Sequence, residues 1–477
     1  MKRLLCILLS LLMILPFAAC GETDENAPGT DGATEEITEA ETKEFFPAVE
    51  RKNYNETFTM IGLAMPESWY WTEELTNEIL NDAIYDMCMR ISDYLGVDMV
   101  YEHVIEQTGG EVFAAVSPTV ASGDDAYQLC IMHPYFGYNA FISHGYAFDF
   151  YEFDQLDFTQ PYWNGKVIDS LAINDKAYIA LGDLCRYQLN ILYANKNRMR
   201  DAQREMPYDK VQNGTWTWDD FYALTKDLYV DADGDGKRNT GDIYGFTSLW
   251  DANGASALQA AGFYVAERNE EDQFTISFDE EKLIDFYDGL FAWANDESTY
   301  IWDFAHAMSN TGTIDFLEGR SYFTLEGLGT QFLSADFDVG ILPLPKYDAA
   351  QDSYRHVNWG NNIVVPSSIS NKDMVGDVLE LQAFYARTVV QKAYYDTVLQ
   401  YKVSNAPEDR EMIELVYNTV VYDPGIAFVD GNASLSNLVY LTCFGIRQNT
   451  KKIASYLKSN TKSAQKTLDK LFKEKNR

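Results

Sequence analysis

The chain is poor in the residues that build metal centres and disulfide scaffolds. Its 477 residues include only six cysteines and five histidines, and the histidines are scattered without ligand spacing. Four cysteines lie far apart within the body of the chain, at Cys88, Cys130, Cys185 and Cys443. This distribution excludes a disulfide-dense scaffold and the usual zinc motifs. We therefore expect mostly buried free thiols.

Basic residues and catalytic motifs are also scarce. Lys and Arg number 37 against 73 Asp and Glu, which gives a formal net charge of -36 and argues against binding to nucleic acid. The chain has no G-x-S-x-G elbow, no H-E-x-x-H zinc helix and no P-loop, so an ATPase would have to be another chain. No internal repeat of the kind expected in a surface scaffold is apparent.

Only the first twenty residues contain a long apolar run. Lys2 and Arg3 precede the apolar segment 4–17, and Ala18, Ala19 and Cys20 follow it. This order is typical of a signal peptide and resembles the lipobox of bacterial lipoproteins, in which Cys20 would carry lipid and become the mature N-terminus. Phe17 departs from the usual Leu. Loss of Lys2 and Arg3 with the signal would take the formal charge from -36 to -38.

The segment after Cys20 is rich in Gly, Thr, Ala and acidic residues, and such a composition cannot bury enough apolar surface to fold. We expect a signal peptide over 1–19 and a lipidated, acidic, disordered linker over 20–50. The lipid would hold the protein on the extracytoplasmic face of the cell membrane.

Beyond the linker, strand and helix patterns alternate. Residues 57–64, 97–105 and 127–132 have the pattern of buried strands. Helical patterns lie between them, from Glu73 to Leu95 with Gly96 as the stop, and over 110–122. This alternation predicts an α/β fold with parallel strands, whose ligand site would lie in loops beyond the carboxyl ends of the strands. Farther along, Thr217 and Asp220 have the spacing of a capping box at the start of a helix.

Several segments resemble the extracellular solute-binding proteins of bacterial ABC importers, the family that contains maltose-binding protein. The segments are 175–183, 191–196, 215–221, 316–323, 340–346 and 359–368, in the order found in that family. The resemblance implies a type II periplasmic-binding fold of two discontinuous α/β lobes, with a hinge and an interlobe cleft. It places the N-lobe at 51–172 and 363–413 and the C-lobe at 173–362 and 414–477, with crossings near Ile173, Asn362 and Ile413.

The resemblance further implies a monomer that is not an enzyme. It would capture a small solute, with a sugar or oligosaccharide favoured, and deliver it to ABC permease subunits in the membrane. Aromatic rings stack on sugar faces, whereas carboxylates, amides and guanidinium groups replace the water lost by sugar hydroxyls. Loop position and family likeness therefore select as ligand-binding candidates Trp69, Trp71, Tyr135, Phe136, Trp163, Arg186, Tyr187, Trp250, Asp251, Glu326, Trp359 and Asn361. Among these, Trp163 is expected in an exposed turn.

Residues 231–242 match the calcium loop of EF-hands and resemble its dockerin version. The oxygen donors would be Asp231, Asp233, Asp235, the carbonyl of Lys237, Asn239 and Asp242. Gly236 permits the sharp turn, and Asp242 replaces the usual Glu at position twelve. We predict a structural calcium ion here, and an acidic solvated turn is the alternative.

Two alternatives to solute capture stay open, namely a surface-tethered glycoside hydrolase and a glycan-binding adhesin. Acidic residues are too plentiful for the sequence to exclude a catalytic carboxylate pair. At the C-terminus, apolar residues at helical spacing with lysines between them predict a terminal helix pair packed on a lobe, with a basic membrane-surface helix as the alternative.

Overall fold

Two large β-sheets, each accompanied by helices, divide the body of the chain into two α/β lobes, as predicted, and two further sheets have only two strands each. The computed structural model describes residues 46–63, 69–104, 110–134, 137–249, 252–302, 315–329, 332, 334–395, 406–429, 434–447 and 449–473. The strands are β1 (Glu56–Leu63), β2 (Val97–Val104), β3 (Leu129–Met132), β4 (Asn190–Asn195), β5 (Tyr244–Leu249), β6 (Ala266–Arg268), β7 (Phe274–Ile276), β8 (Thr299–Trp302), β9 (Ser321–Gly327), β10 (Val339–Leu342), β11 (His356–Val357), β12 (Asn362–Val364) and β13 (Val420–Val421).

The α-helices in the described ranges alternate with these strands over much of the chain. They are α1 (Ile79–Leu95), α2 (Glu111–Ser122), α3 (Tyr138–His144), α4 (Gly165–Leu171), α5 (Lys196–Asp201), α6 (Tyr208–Gln212), α7 (Trp218–Thr225), α8 (Ala252–Ala260), α9 (Glu280–Ala294), α10 (Lys372–Tyr385), α11 (Pro407–Asn418), α12 (Pro424–Ala427), α13 (Ser434–Val439), α14 (Leu441–Arg447) and α15 (Ile453–Leu471). A π-helical turn, Ala386–Gln391, continues α10.

The sheet of the N-lobe has the order β12-β3-β1-β2. β1 runs parallel to both β2 and β3, and β12 is antiparallel to β3. The three strands predicted at the start of the body are all present, within two residues of the predicted ends. Because β12 joins this sheet after the chain has built most of the other one, the N-lobe is discontinuous.

The sheet of the C-lobe has the order β10-β4-β9-β5-β8. β5 is parallel to its neighbours β8 and β9, whereas β4 is antiparallel to β9 and β10. Aromatic rings form the core on one side of this sheet. The ring of Phe221 from α7 lies 5.8 Å from Phe246 of β5 and 5.6 Å from Phe323 of β9, and Trp293 of α9 lies 4.8 Å from Phe246. These contacts pack α7 and α9 onto the strands.

Local signals explain several helix ends. α1 starts at Ile79 rather than at the predicted Glu73, because the side chain of Glu78 accepts a hydrogen bond from the backbone N–H of Asn81 and caps the helix there. It ends at Gly96, whose φ of 62° supplies the left-handed cap that was predicted. The capping box of Thr217 and Asp220 at α7 is also confirmed.

The C-terminal helices pack against the lobes through their apolar faces. Ile453, Leu457, Ala464, Leu468 and Leu471 of α15 are buried, as expected of a terminal helix packed on a lobe. The side chain of Gln465 holds α15 against β7, because it accepts from the backbone N–H of Ile276 and donates to the carbonyl of Phe274. No helix in the described part of the chain has both the length and the hydrophobicity needed to span a bilayer. The four cysteines of the body are buried free thiols, which confirms the prediction.

Candidate functional site

The two lobes are joined by chain segments that run side by side. Ala180 still pairs with Ile363 at the N-lobe sheet, and β4 of the C-lobe begins at Asn190, so the first connection lies between these residues. Leu189 forms an antiparallel bridge with Asn358 of the returning segment. Ile413, near the third predicted crossing, lies within α11, which packs on β10. These paired segments form the hinge region of the molecule.

Close backbone approach holds the two hinge segments together. The N–H of Trp359 donates to the carbonyl of Gln188 at 3.0 Å, and the N–H of Gln188 donates to Oδ1 of Asn358 at 2.9 Å. A Cβ atom at Gly360 would lie 1.8 Å from the carbonyl oxygen of Arg186. Only glycine therefore fits at this position.

Loops after strands of both sheets reach the hinge region. Trp69 follows β1 of the N-lobe, and its Nε1–H points to the carbonyl oxygen of Asp183 at 3.4 Å. His133 follows β3, and its ring stacks on that of Trp359 with centroids 6.4 Å apart. Leu328 follows β9 of the C-lobe, and its carbonyl accepts from the hydroxyl of Tyr394 at 3.2 Å. The carboxyl ends of strands from both lobes thus meet at the hinge, where α/β sheets bind ligands.

Aromatic side chains from both lobes and the hinge converge at this junction. We call six of them the interlobe aromatic group: Trp69, Tyr187, Tyr394, Tyr395, Tyr417 and Tyr422. Ring centroids are 5.2 Å apart for Trp69 and Tyr394, 5.1 Å for Tyr395 and Tyr417, and 6.1 Å for Tyr187 and Tyr417. The hydroxyl of Tyr422 accepts from Nδ2 of Asn358 at 3.3 Å. The group joins the first strand of the N-lobe to the hinge and to α11.

The sequence analysis searched only loops after the strands that it predicted, and it therefore missed four of these tyrosines. Tyr394 and Tyr395 lie in the helical segment after the π-helical turn, Tyr417 lies near the end of α11, and Tyr422 follows β13. The one available signal was the tyrosine doublet 394–395. Nothing local indicates that this doublet meets a residue more than 300 positions earlier.

Two polar candidates at the junction have no partner among the described residues. Glu326 lies near the carboxyl end of β9, opposite Ile191 of β4, and is partly exposed. No described residue donates to its carboxylate, and burial raises its pKa to about 7. Asn361, at the return to the N-lobe, likewise makes no side-chain hydrogen bond within the described ranges. Both side chains can therefore form hydrogen bonds with a bound solute.

An ion pair ties the N-lobe to the hinge. Nη1 of Arg387, in the π-helical turn, lies 2.9 Å from Oδ2 of Asp183. Burial raises the pKa of Asp183 to about 6, although the guanidinium of Arg387 opposes this shift. Burial also lowers the pKa of His133 to about 4, so this imidazole is neutral near pH 7. Arg186 and Tyr187, both candidates from the sequence, are partly exposed beside this pair.

The four tryptophan candidates in the described ranges pack against the core: Trp69, Trp163 and Trp359 are buried, and Trp71 is half-buried. The indole of Trp71 donates to the carbonyl of Met99 at 2.9 Å and lies against β2. The indole of Trp359 is fully buried and donates to Oγ of Ser256 at 2.9 Å. Trp163 is only 5% exposed, and its Nε1–H donates to Oε2 of Glu380 at 2.7 Å. The exposed turn predicted for Trp163 was therefore wrong, because this buried carboxylate of α10 draws the indole inward.

Four of the other ligand candidates and the lipidation site lie outside the described residues. They are Tyr135, Phe136, Trp250 and Asp251, together with Cys20. Three surface grooves of about 380, 530 and 400 Å³ lie elsewhere on the protein, against α14 and α15, between β7 and α15, and along α5. None of these grooves includes a member of the interlobe aromatic group. We place the candidate site at the junction because strand ends of both lobes and the aromatic group meet there.

The loop 231–242 brings three carboxylates together. Asp231, Asp233 and Asp235 each offer an oxygen within 4.8 Å of the others, and all three lie at the surface. The loop is wound tightly, since the carboxylate of Asp231 accepts from the N–H groups of Gly234 and Gly236 at 2.8 and 2.9 Å. Gly236 has a φ of 72°, which agrees with the predicted sharp turn. Carboxylate oxygens are suitable ligands for calcium.

Asp242, at position twelve of the loop, lies outside this group of three. It is buried, and its Oδ1 accepts from the N–H of Ala232 at 3.0 Å. Its Oδ2 accepts from the hydroxyl of Tyr229 and the N–H of Asn239, at 3.0 and 3.1 Å. The side chain of Asn239 in turn donates to Oδ2 of Asp233 at 2.9 Å. Asp242 therefore closes the loop by hydrogen bonds. The three exposed carboxylates also accept hydrogen bonds from within the loop, and these bonds hold their oxygens in one group at the surface.

The architecture matches solved structures over most of its length. A maltose/maltodextrin-binding domain from Bdellovibrio bacteriovorus, bound to maltotriose, aligns with a TM-score of 0.55 at 13% identity over 88% of this chain and 100% of that one. The GacH receptor of Streptomyces glaucescens, solved unliganded and with acarbose, gives 0.56 at 16% identity over 87% and 98%. The chain has the fold of ABC substrate-binding proteins.

A third match agrees with this fold. An ABC substrate-binding protein from Listeria monocytogenes, in complex with cycloalternan, gives a TM-score of 0.53 at 15% identity over 87% of this chain and 98% of that one. No protein-family profile and no curated protein matches the chain. The matches to solved structures confirm the predicted type II fold of two discontinuous lobes.

Proposed function

We propose that this protein is the solute-binding component of an ABC importer and that it captures a sugar or oligosaccharide between its lobes. The observation that carries the proposal is the interlobe aromatic group, which brings rings from the N-lobe, the hinge and α11 to one junction. The substrate-binding fold supports it, because proteins with that fold include those solved with maltotriose, acarbose and cycloalternan.

The chemistry of the junction suits a neutral polyhydroxylated ligand. Sugar rings have apolar C–H faces that pack on aromatic rings, and their hydroxyls need hydrogen-bond partners when they leave water. Tyr187, Tyr395 and Tyr417 supply ring surface, whereas Glu326 and Asn361 supply polar atoms that the described protein leaves unpaired. A purely apolar ligand would leave the carboxylate of Glu326 desolvated without compensation.

In the proposed mechanism, the lobes close about the hinge and capture the solute between them. A solute that binds one lobe gains further contacts when the other lobe closes on it, and this difference in binding free energy drives the change. The paired segments at Leu189 and Asn358 would be the point of bending, and each sheet would move as a unit. A lipid on Cys20 would keep the protein near permease subunits and raise its effective concentration there.

The function is tested by screening oligosaccharides for an increase in melting temperature. We expect at least one sugar to stabilise the protein, and Tyr417→Ala to weaken its binding by roughly tenfold or more, because the ring surface at the junction is lost. Tyr85→Ala, in α1, is the matched control and should bind normally. Release of a cleaved sugar by the wild-type protein would instead support the glycoside hydrolase.

We further propose that the loop 231–242 holds a structural calcium ion. Asp231, Asp233 and Asp235 would supply carboxylate oxygens, and the carbonyl of Lys237 and water would complete the six to eight ligands that calcium takes. Bound calcium would offset the mutual repulsion of three carboxylates that lie within 4.8 Å of one another. The loop connects the end of α7 to β5, so the ion would stabilise the C-lobe and not take part in solute binding.

A further inference from the structure

The C-terminal helix α15 presents a basic surface on an otherwise acidic protein. Residues 451–473 contain seven lysines and one aspartate, a formal charge of +6, whereas the whole chain carries -36. We call these lysines the lysine face: Lys451, Lys452, Lys458, Lys462, Lys466, Lys470 and Lys473. All seven are exposed. The charge of this one helix is therefore opposite in sign to that of the molecule.

The protein itself does not neutralise the lysine face. None of the seven lysines forms an ion pair with another described residue, and only Lys451 has a ring contact, 5.4 Å from the centroid of Phe291. Asp469 on the helix itself accepts from Gln465, and Glu280 lines the same groove as Lys458 and Lys462. The positive field of the helix therefore extends into solvent.

The arrangement of the lysines works against the helix that carries them. Lys458, Lys462, Lys466 and Lys470 are spaced four residues apart, and like charges at this spacing destabilise a helix by about 0.2–0.5 kcal/mol for each pair. Lys451 and Lys452 precede the first turn, where the helix dipole disfavours cations, and that turn contains no acidic residue. Lys470, in the last turn, complements the helix dipole. Helix stability gives no reason for the lysines at the start of the helix or for the four-residue spacing.

The apolar face of α15 is already used. Ile453, Leu457, Ala464, Leu468 and Leu471 are buried against the rest of the protein, and hydrogen bonds from Gln465 hold the helix to β7. The helix therefore has no free apolar face to insert into a bilayer, so a basic membrane-surface helix, the alternative from the sequence, would bind through its charge. What it offers outward is charge alone, displayed along a rigid rod of about 28 Å for its 19 residues.

We propose that the lysine face docks on the headgroups of anionic phospholipids and orients the protein on the membrane that holds its predicted lipid anchor. The net negative charge repels an anionic surface at long range, but charges more than about 8–10 Å away are largely screened at physiological salt. Within that distance each lysine gains about 1 kcal/mol near an anionic surface. An acyl chain with a basic patch is a pair of signals sufficient for stable anchoring.

Docking on phospholipid does not require a bound solute, so it can be tested without one. The unacylated mature chain, residues 20–477 with Cys20→Ser, is sedimented with vesicles of phosphatidylglycerol and phosphatidylcholine in equal parts, and with phosphatidylcholine alone. We expect binding only to the anionic vesicles and its loss at high salt. Charge reversal of Lys458, Lys462, Lys466 and Lys470 to Glu should reduce the partition coefficient more than about 100-fold.

The matched control reverses four exposed lysines elsewhere, Lys166, Lys176, Lys226 and Lys392, and changes the net charge by the same amount. It should retain most of the binding, and both variants should melt cooperatively like the parent. Equal losses in the two variants would overturn the proposal, since net charge would then decide binding. Absence of binding by the parent at low salt, or equal binding to neutral vesicles, would overturn it as well. Sugar binding should be unchanged in either variant.

Discussion

At the scale of the residue, Glu326 has the most informative electrostatics of the junction. It lies at the carboxyl end of a central strand, and no described residue compensates its charge. A protein folding for stability alone would place an amide or an apolar side chain there. The carboxylate therefore costs stability in the empty protein, and this cost is measurable.

The stability of the empty protein should depend on pH through Glu326. In the folded state its pKa is raised from 4.5 to about 7 by burial, so between these values the folded state binds more protons than the unfolded chain. The free energy of unfolding should then fall as pH rises from about 4.5 to about 7. Glu326→Gln should remove the contribution of this group to the dependence and stabilise the protein above pH 7 by on the order of 2 kcal/mol, allowing for partial exposure.

Denaturant unfolding at about pH 4 and about pH 8 measures the effect, because the two conditions lie on either side of the titration. Glu205→Gln, at an exposed position away from the junction, is the control and should leave both values unchanged. If Glu326→Gln were no more stable than the parent at the higher pH, the carboxylate would be solvated rather than buried.

Gly360 is the second residue whose role is local and testable. A methyl group there would lie 1.8 Å from the carbonyl oxygen of Arg186, and neither backbone can yield without separating the hinge segments. We expect Gly360→Ala to lower the free energy of unfolding by about 3 kcal/mol or more, in the range of severe steric substitutions. Gly289→Ala, in the exposed interior of α9 with only an ordinary contact 3.6 Å from Tyr222, should be neutral or stabilising. Equal melting temperatures for the two variants would contradict this account of the hinge.

At the scale of the element, the acidic residues of the loop 231–242 have two different roles. Asp231, Asp233 and Asp235 lie at the surface with their oxygens grouped, whereas Asp242 is buried and closes the loop on Ala232 and Asn239. The loop is thus preorganised by backbone hydrogen bonds before any ion binds. Such preorganisation lowers the cost of binding a cation.

Calcium should raise the melting temperature of the wild-type protein, and the variant Asp231→Ala with Asp235→Ala should lose this increase. The reason is that each of the two substitutions removes a carboxylate from the group of three. Thermal melts with added calcium or with chelator measure the shift, and isothermal titration reports the affinity. The double variant Asp98→Ala with Asp124→Ala, at exposed positions of the N-lobe, should keep the calcium response. If calcium left the melting temperature of the wild-type protein unchanged, this would favour the alternative that the loop is an acidic solvated turn.

At the scale of the whole molecule, two sheets connected by paired segments can move as two bodies. The interlobe aromatic group lies at that junction, and the ion pair of Arg387 with Asp183 ties the N-lobe to the hinge. A solute bound as we propose would contact both lobes. The two sheets themselves share no strand. A change in the angle between the lobes therefore requires no break in either sheet.

Solution scattering should detect this change. The radius of gyration of the protein should decrease when a stabilising sugar saturates it, because closure brings the lobes together. Tyr417→Ala, at a sugar concentration that leaves it unoccupied, should keep the radius of the empty protein. A sugar that binds tightly with no change in radius would support a rigid glycan-binding adhesin instead of a hinged receptor.

Much of the fold could be predicted from local patterns. The strands β1, β2 and β3, the cap at Gly96 and the capping box at Thr217 each depend on residues close in sequence, so a single chain displays them. The site was harder, since exposure is not a local property. Trp163 was expected at the surface, but Glu380, more than 200 positions later, buries it. Tyr417 was overlooked because it lies on a helix.

By itself, the sequence determined the acidic composition, the apolar run before Cys20, the alternation of strands and helices and the spacing of carboxylates in the loop 231–242, because each is a property of neighbouring residues. The tertiary structure alone decided which aromatic rings share the junction, which indoles are buried, and that the lysines of α15 face solvent while its apolar residues face the protein. These outcomes depend on contacts between residues hundreds of positions apart, and only packing brings such residues together.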